Sequence, residues 1–493
     1  MKNMDIIEAL DFIDTKYIEE ASEESCTVNY KKASKIRTVP LKKRLIASVA
    51  AVLAIAILVT GIMVLGPNAP LVTKVEALSV AEYPIMTKYP GDYFATSNYD
   101  TLYAQWLRDV AKQEKYFGAG DNLDGFIKNS VTAFLSDLDG GNVAYSPLNI
   151  YMSMAMIAEI SGGETRQQAL NALNCPSVEE LREQTHAIWN ANYRNDGKVK
   201  SVLASSLWLS DKAEYNKAVT DILAEKYYTS VYRGRMDSAV YGEEYIRWMK
   251  EQTGNYNSDY INSLTPFTKD NLISIASTIS YEARWEFLFP KSKMKTGEFH
   301  TADGSVSCTY LNKIEVYGSY YWGEQFTATS KALENSGSMY FILPNEGISV
   351  EQLMKNSELL DFIVSDGRWA NKENTVVEIT VPVFDVSSNM DLKDGFGKMG
   401  VTDCFDIKEA DFSSITDKSS GGLCITDAEH GVRVSVNEEG CTGTAFTGLN
   451  GSGAANQNKP QKTFTAERPF IFVITGADGL PLFIGVVNQP AIA

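Results

Sequence analysis

The spacing of apolar positions changes several times along the chain, and the changes divide it. Near the start, Ile6, Leu10, Ile13 and Tyr17 fall on one helical face with acids on the other, predicting a short amphipathic helix. It reads equally as a docking element and as a solvated tail. The polar face then disappears: Leu45 to Gly66 holds 22 residues without a charge, about the length that crosses a bilayer core as a helix. Lys42, Lys43 and Arg44 stand directly before this run, and the next basic residue is Lys74. The positive-inside tendency therefore puts residues 1–44 in the cytoplasm, a transmembrane helix at 45–66 and the rest outside. A cleaved signal peptide is the competing reading, but the charged preamble and the apolar run are both too long for one. Residues 67–120, with Pro67, Pro70, Pro84 and Pro90, read as an extracellular spacer with one helix near Thr101 to Lys115.

Residues 121–493 read as one mixed domain. Helical spacing dominates first, over Phe126 to Leu138, Pro147 to Ile160 and Thr165 to Leu173. Ser146-Pro147 is a helix start, since proline in the first turn has no N–H to satisfy. Strand-like runs follow at Ser201 to Ser210, Ser338 to Leu343, Thr375 to Val383, Gly431 to Asn437, Phe470 to Thr475 and Leu482 to Val487. Helices first and strands later predict an α+β fold. No repeat of about 20–50 residues is visible, which argues against a solenoid.

The stretch from Val432 to Asn458 has a pattern of its own. Val432, Val434 and Val436 alternate with Arg433, Ser435 and Asn437, as in a strand with one buried face. Beyond Gly440 the alternation continues among small residues. Cys441, Gly443, Ala445, Thr447, Leu449 and Gly451 form one set, and nothing from Cys441 to Asn458 is charged or proline. A flexible linker explains the glycines but not the missing charges. A segment that is a loop in one state and a central strand in another explains both.

Composition narrows the chemistry. The chain has 493 residues, a net charge of −17 and no basic cluster beyond the N-terminal region, which disfavours nucleic acid as a partner. Its six cysteines (Cys26, Cys175, Cys308, Cys404, Cys424 and Cys441) include no CxxC pair and no zinc-like spacing. They read as free, buried thiols, with a disulfide left open. Only His186, His300 and His430 are available as imidazole bases. No HExxH, P-loop, GxGxxG or GxSxG motif occurs, so the chain does not read as an enzyme, and no metal site or cofactor is expected.

His430 to Gly440 (HGVRVSVNEEG) resembles the strand and hinge of the serpin family, whose signature is H-x5-V-N-E-E-G. Arg468-Pro469-Phe470 and Phe483-Ile484-Gly485 are similar to the family's closing strands, and Asn142 to Leu148 to the start of the helix beneath its main sheet. Trp285 in EARWEFLF, Pro382-Val383-Phe384 and Ala410 to Ser413 extend the match over roughly residues 120–493. The resemblance implies helices packed around a large central sheet, with smaller sheets and an exposed reactive loop. It implies a suicide-substrate inhibitor: a serine or cysteine protease cuts the loop, and the cut loop inserts as a new strand while the acyl-enzyme is still attached. Glu438, Glu439 and Gly440 would be the hinge, with Cys441, Gly443, Ala445 and Thr447 the inserting face. Ser146, Asn149 and His430 would form a polar cluster under the separating strands, and Trp285 the gate.

Some residues depart from the family pattern. Cys441 replaces a threonine or serine, Gly443 an alanine, and Phe446 is large for its place. Asn149 stands where serine is frequent and Arg247 where asparagine is, which leaves the control of sheet opening unassigned. Spacing from the hinge puts the reactive bond at Ala454-Ala455, while counting back from Arg468-Pro469-Phe470 puts it near Gln457 or Asn458. Alanine before the bond points to an elastase-like or subtilisin-like target protease. The expected molecule is thus a monomeric, membrane-tethered inhibitor outside a bacterial-type cell, with a non-inhibitory surface binding or adhesion module as the alternative.

Overall fold

The computed structural model describes residues 75–491 apart from 92, 95, 138–139, 254–260, 262–266, 335–336, 417–421 and 443–459. The expected cytoplasmic tail and transmembrane helix therefore lie outside the described residues. Among those described, no helix is long and apolar enough to cross a membrane.

Among the described residues, seven helices of two turns or more lie in the first half: α1 (Tyr99–Ala111), α2 (Asp124–Leu135), α3 (Pro147–Ile160), α4 (Gly163–Ala172), α5 (Val178–Asn192), α6 (Lys217–Lys226) and α7 (Ala239–Thr253). The early strands are β1 (Glu76–Ser79), β2 (Val143–Tyr145), β3 (Arg194–Asn195), β4 (Lys200–Ser210), β5 (Thr229–Gly234) and β6 (Ile273–Arg284). Then come β7 (Lys295–Thr301), β8 (Gly304–Trp322), β9 (Phe326–Ala332), β10 (Ser338–Pro344), β11 (Lys372–Pro382) and β12 (Phe384–Asp391). The last five are β13 (Ile425–Val436), β14 (Gly440–Thr442), β15 (Lys462–Thr465), β16 (Phe470–Thr475) and β17 (Pro481–Val487). The α+β expectation holds, and among the described residues the expected helices and strands appear within about four residues of their bounds, except that β13 begins six residues before Gly431.

Two sheets divide these strands. The main sheet runs β1-β5-β4-β6-β14-β13-β12, and the second runs β15-β11-β8-β9-β10-β16-β17-β2. Helix α3 lies between them, packed on β4, β6 and β17. Every one of its residues is buried, which suits a helix apolar on all sides. Its start is set locally: Pro147 occupies the first turn and the Ser146 hydroxyl accepts from the Asn149 N–H.

The expected spacer is corrected by the structure. Residues 75–120 belong to the same compact unit as the rest of the fold. β1 pairs antiparallel with β5, with Glu76 opposite Arg233. The Tyr83 ring lies 5.2 Å from Trp189, and in α1 the Trp106 indole donates to Asp196 at 2.8 Å. The proline content of this segment reflects an irregular path over the body rather than a free linker. The helix expected near Thr101 begins two residues earlier and ends at Ala111.

Candidate functional site: a forked sheet with a seated hinge

The main sheet is forked at its centre. β6 and β13 pair in parallel from Ile273/Ile425 up to Thr278/Gly431, where their register ends. Above that point β14 stands between them, with Gly440 opposite Arg284 and Cys441 opposite Ala283 on one side. On the other side Val436 pairs with Cys441 and Ser435 with Thr442. The chain thus leaves the top of β13, turns, and re-enters the same sheet one strand across.

Asn437 makes that reversal. Its side-chain oxygen accepts from the N–H groups of Glu439 (2.9 Å) and Gly440 (3.2 Å), and its own N–H donates to Gly440 O at 3.1 Å. This is the self-bonding that favours asparagine in turns. A Cβ on Gly440 would stand 2.3 Å from Ala283 O, so the hinge glycine is required by close approach. Cys441 is buried with its Sγ 3.5 Å from Met339 Sδ on β10, and burial pushes its thiol well above the ordinary value. That contact points the first inserted side chain into the space between the sheets, as the alternation of small residues predicts.

Two residues hold the turn from outside. The Trp285 indole donates to Asn437 O at 2.9 Å, the Trp285 N–H to Glu439 O at 3.0 Å and the Phe289 N–H to Glu438 O at 3.1 Å. Lys291 adds ion pairs to Glu438 (3.1 Å) and Glu439 (3.7 Å), though its side chain is 61% exposed. Such exposed pairs contribute little.

The apex of the fork carries a buried polar cluster. Ser146 N–H donates to His430 Nε2 at 3.0 Å. Asn149 Nδ2 donates to Ser277 Oγ at 2.9 Å and to Thr278 O at 2.7 Å. Thr278 Oγ1 crosses the last paired rung to Gly431 O at 3.1 Å. Burial pushes the His430 imidazole down to about 4, so the ring is neutral and can accept a backbone hydrogen bond. Helix α3 is thereby bonded to both strands at the point where they part.

The structure brings together Ser146, Asn149 and His430 at the apex and Glu438, Glu439, Gly440, Cys441 and Trp285 at the mouth. Gly443, Ala445, Thr447 and the Ala454-Ala455 bond lie outside the described residues. Asn149, which stands where the family more often has serine, reaches β6 with two bonds from its amide nitrogen. Arg247 takes no part: it is exposed on α7 and pairs with Glu244 and Glu251. Sequence reasoning missed Ser277, Thr278, Phe289 and Asn437. The adjacent hydroxyls Ser277-Thr278, which interrupt the alternation of ISIASTIS, were a signal, because buried hydroxyls need partners.

The five described cysteines, Cys175, Cys308, Cys404, Cys424 and Cys441, are free and buried. Among the described residues no group of His, Cys, Asp and Glu could hold a metal.

Comparison with known proteins bears on the family and the fold. The family model described as "Serpin (serine protease inhibitor)" matches residues 126–490. An uncharacterized serpin-like protein of Methanosarcina mazei is 26% identical over 402 residues, covering 75% of this chain and 89% of that protein. Serpin-ZX of Arabidopsis thaliana is 26% identical over 369 residues, covering 71% and 92%. The crystal structure of the thermophilic serpin tengpin in its native state superposes with a TM-score of 0.66 at 26% identity, covering 75% of this chain and 94% of that one.

Proposed function

The chain belongs to the serpin family, and on that premise we propose that it is a suicide-substrate inhibitor of extracellular serine or cysteine proteases. The observation that carries the reading is β14, a hinge already seated between β6 and β13 at the head of a charge-free segment. Continued in its register from Ser435/Thr442, residues 443–446 would reach Gly431. Any further insertion must separate the parallel rungs between β6 and β13. Cleavage frees the segment to do this. Every second residue inserted joins Cys441 on the buried face, and the set Gly443, Ala445 and Thr447 is small enough for the space between the sheets. The tethered protease is carried along before it can release its acyl group. The trap is kinetic, because the uncut loop cannot reach the inserted position. The protease supplies the nucleophile, and the inhibitor needs no cofactor.

We further propose a tether through residues 45–66 that holds the inhibitor on the outer face of a cell membrane, and elastase-like or subtilisin-like proteases as targets because of Ala454. The test is incubation with such proteases. An SDS-stable complex of protease and cleaved inhibitor is expected, with the new N-terminus at residue 455. Cleavage without complex at every enzyme ratio rejects inhibition. That outcome supports the second reading, a non-inhibitory binding or adhesion module, which two departures from the family pattern favour: Gly443 where alanine is common, which loosens the loop, and the large Phe446 on its outer face.

A further inference from the structure

Lys331, on β9, is 3% exposed. Its ammonium is bonded to Glu315 on β8, and Lys313 reaches the same carboxylate oxygen at 3.2 Å. The ammonium also lies 4.8 Å from the Phe289 ring centroid and 5.8 Å from that of Trp285. The two rings meet edge to face at 5.6 Å. These are the two residues whose N–H groups hold the carbonyls of Asn437, Glu438 and Glu439. The end of β9 is joined to the same segment through the Trp285–Leu333 bridge and the Glu286 N–H to Ala332 O bond.

A lysine buried to this degree is costly unless paired and bonded. Burial and Lys313 push it down to about 8, and Glu315 works against that shift. Nothing in sheet packing asks for a charge here, since a methionine would fill the same volume. What the ammonium adds is attraction to the faces of two desolvated rings.

We propose that Lys331 is a positioning residue for the hinge: anchored by Glu315, it holds Trp285 and Phe289 in the pose that grips residues 437–439, and so sets how readily β14 leaves the sheet. This deepens the reading of β14 as the start of an inserting loop and rests on that reading.

Cys441 reports the event directly, because its buried Sγ becomes accessible only when β14 withdraws. The experiment is alkylation of the full-length protein by iodoacetamide, with the rate at each cysteine followed by peptide mass spectrometry. Lys331→Met leaves Glu315 paired with Lys313, so no orphan charge is created. It is expected to raise the Cys441 rate by about tenfold or more, leaving Cys308 and Cys404 unchanged. Lys331→Arg should restore most of the protection. Where the methionine variant does not fold, Glu315→Gln keeps the ammonium without its anchor and should move Cys441 in the same direction. An unchanged Cys441 rate overturns the proposal, as does a parallel rise at Cys308 and Cys404, which marks general loosening. No protease is used, so the two ideas fail separately. Absence of a protease complex rejects inhibition, whereas a complex-forming protein whose Cys441 ignores Lys331 rejects only the positioning role.

Discussion

At the residue scale, His430 ties the strength of the fork to pH. Its folded pKa is about 4, against about 6.5 for an unfolded histidine. Between those values the unfolded chain binds the extra proton and the native fold does not, so stability falls as pH drops from about 6.5 towards 4 and changes no further from this group below that. At about 1.4 kcal/mol per pH unit the loss reaches about 3 kcal/mol. Protonation also removes the Nε2 acceptor of the Ser146 N–H. Urea midpoints measured from pH 7 to pH 4 should fall less steeply for His430→Gln than for the parent. Equal slopes would show that the apex does not titrate in this window. Ser146, His430 and Trp285 were legible in the sequence because they sit in recognisable local motifs. Ser277, Thr278 and Phe289 were not: the hydroxyls of Ser277 and Thr278 signalled only that partners were needed, and a hydrogen bond between distant segments does not name its partner in the spacing of either.

At the scale of elements, β14 is the informative piece. It has three residues, yet it pairs with strands on both sides, and a Cβ on its first residue would meet β6 backbone. Gly440→Val should therefore expel β14, lower the melting temperature by several degrees and open Cys441 to alkylation. Cleavage between residues 454 and 459 should act in the other direction. A strand of about ten residues then fills the fork, and the melting temperature should rise by about 10 °C or more. A cleaved protein that melts at its original temperature does not insert its loop. The alternation from Cys441 onward made the inserting face readable from sequence. That the hinge is already seated was not readable, since it depends on β6, more than 150 residues upstream, standing one strand's width from β13.

At the scale of the whole molecule, the N-terminal segment closes one edge of the main sheet. β5 would otherwise present open backbone groups, and an open edge invites pairing with another chain. Deleting residues 1–74 keeps β1 and should leave a monomer with an unchanged melting temperature; if the proposed tether through residues 45–66 holds, the same deletion releases the protein into the soluble fraction. Deleting residues 1–83 removes β1 and the Tyr83–Trp189 contact. It should lower the melting temperature by about 4 °C or more and produce dimers or larger species in size-exclusion chromatography with light scattering. Equal behaviour of the two truncations would mean that β1 is dispensable.

What the sequence by itself determined is whatever is set within a few residues of chain. The start of α3 follows from Ser146-Pro147, the valine alternation of β13 from one buried face, and the hinge from V-N-E-E-G. The missing charges from Cys441 to Asn458 mark a segment fit to be buried. Tertiary structure alone decided what stands across from what: β1 on the edge of β5 where a spacer was expected, Asn149 bonded to β6, Arg247 left in solvent, and Lys331 beneath Trp285 and Phe289. The physical reason is the range of the interactions. Caps, turns and periodicity arise between neighbours in the chain. Strand pairing, and the partner of a buried charge, depend on segments that meet only when the chain has folded.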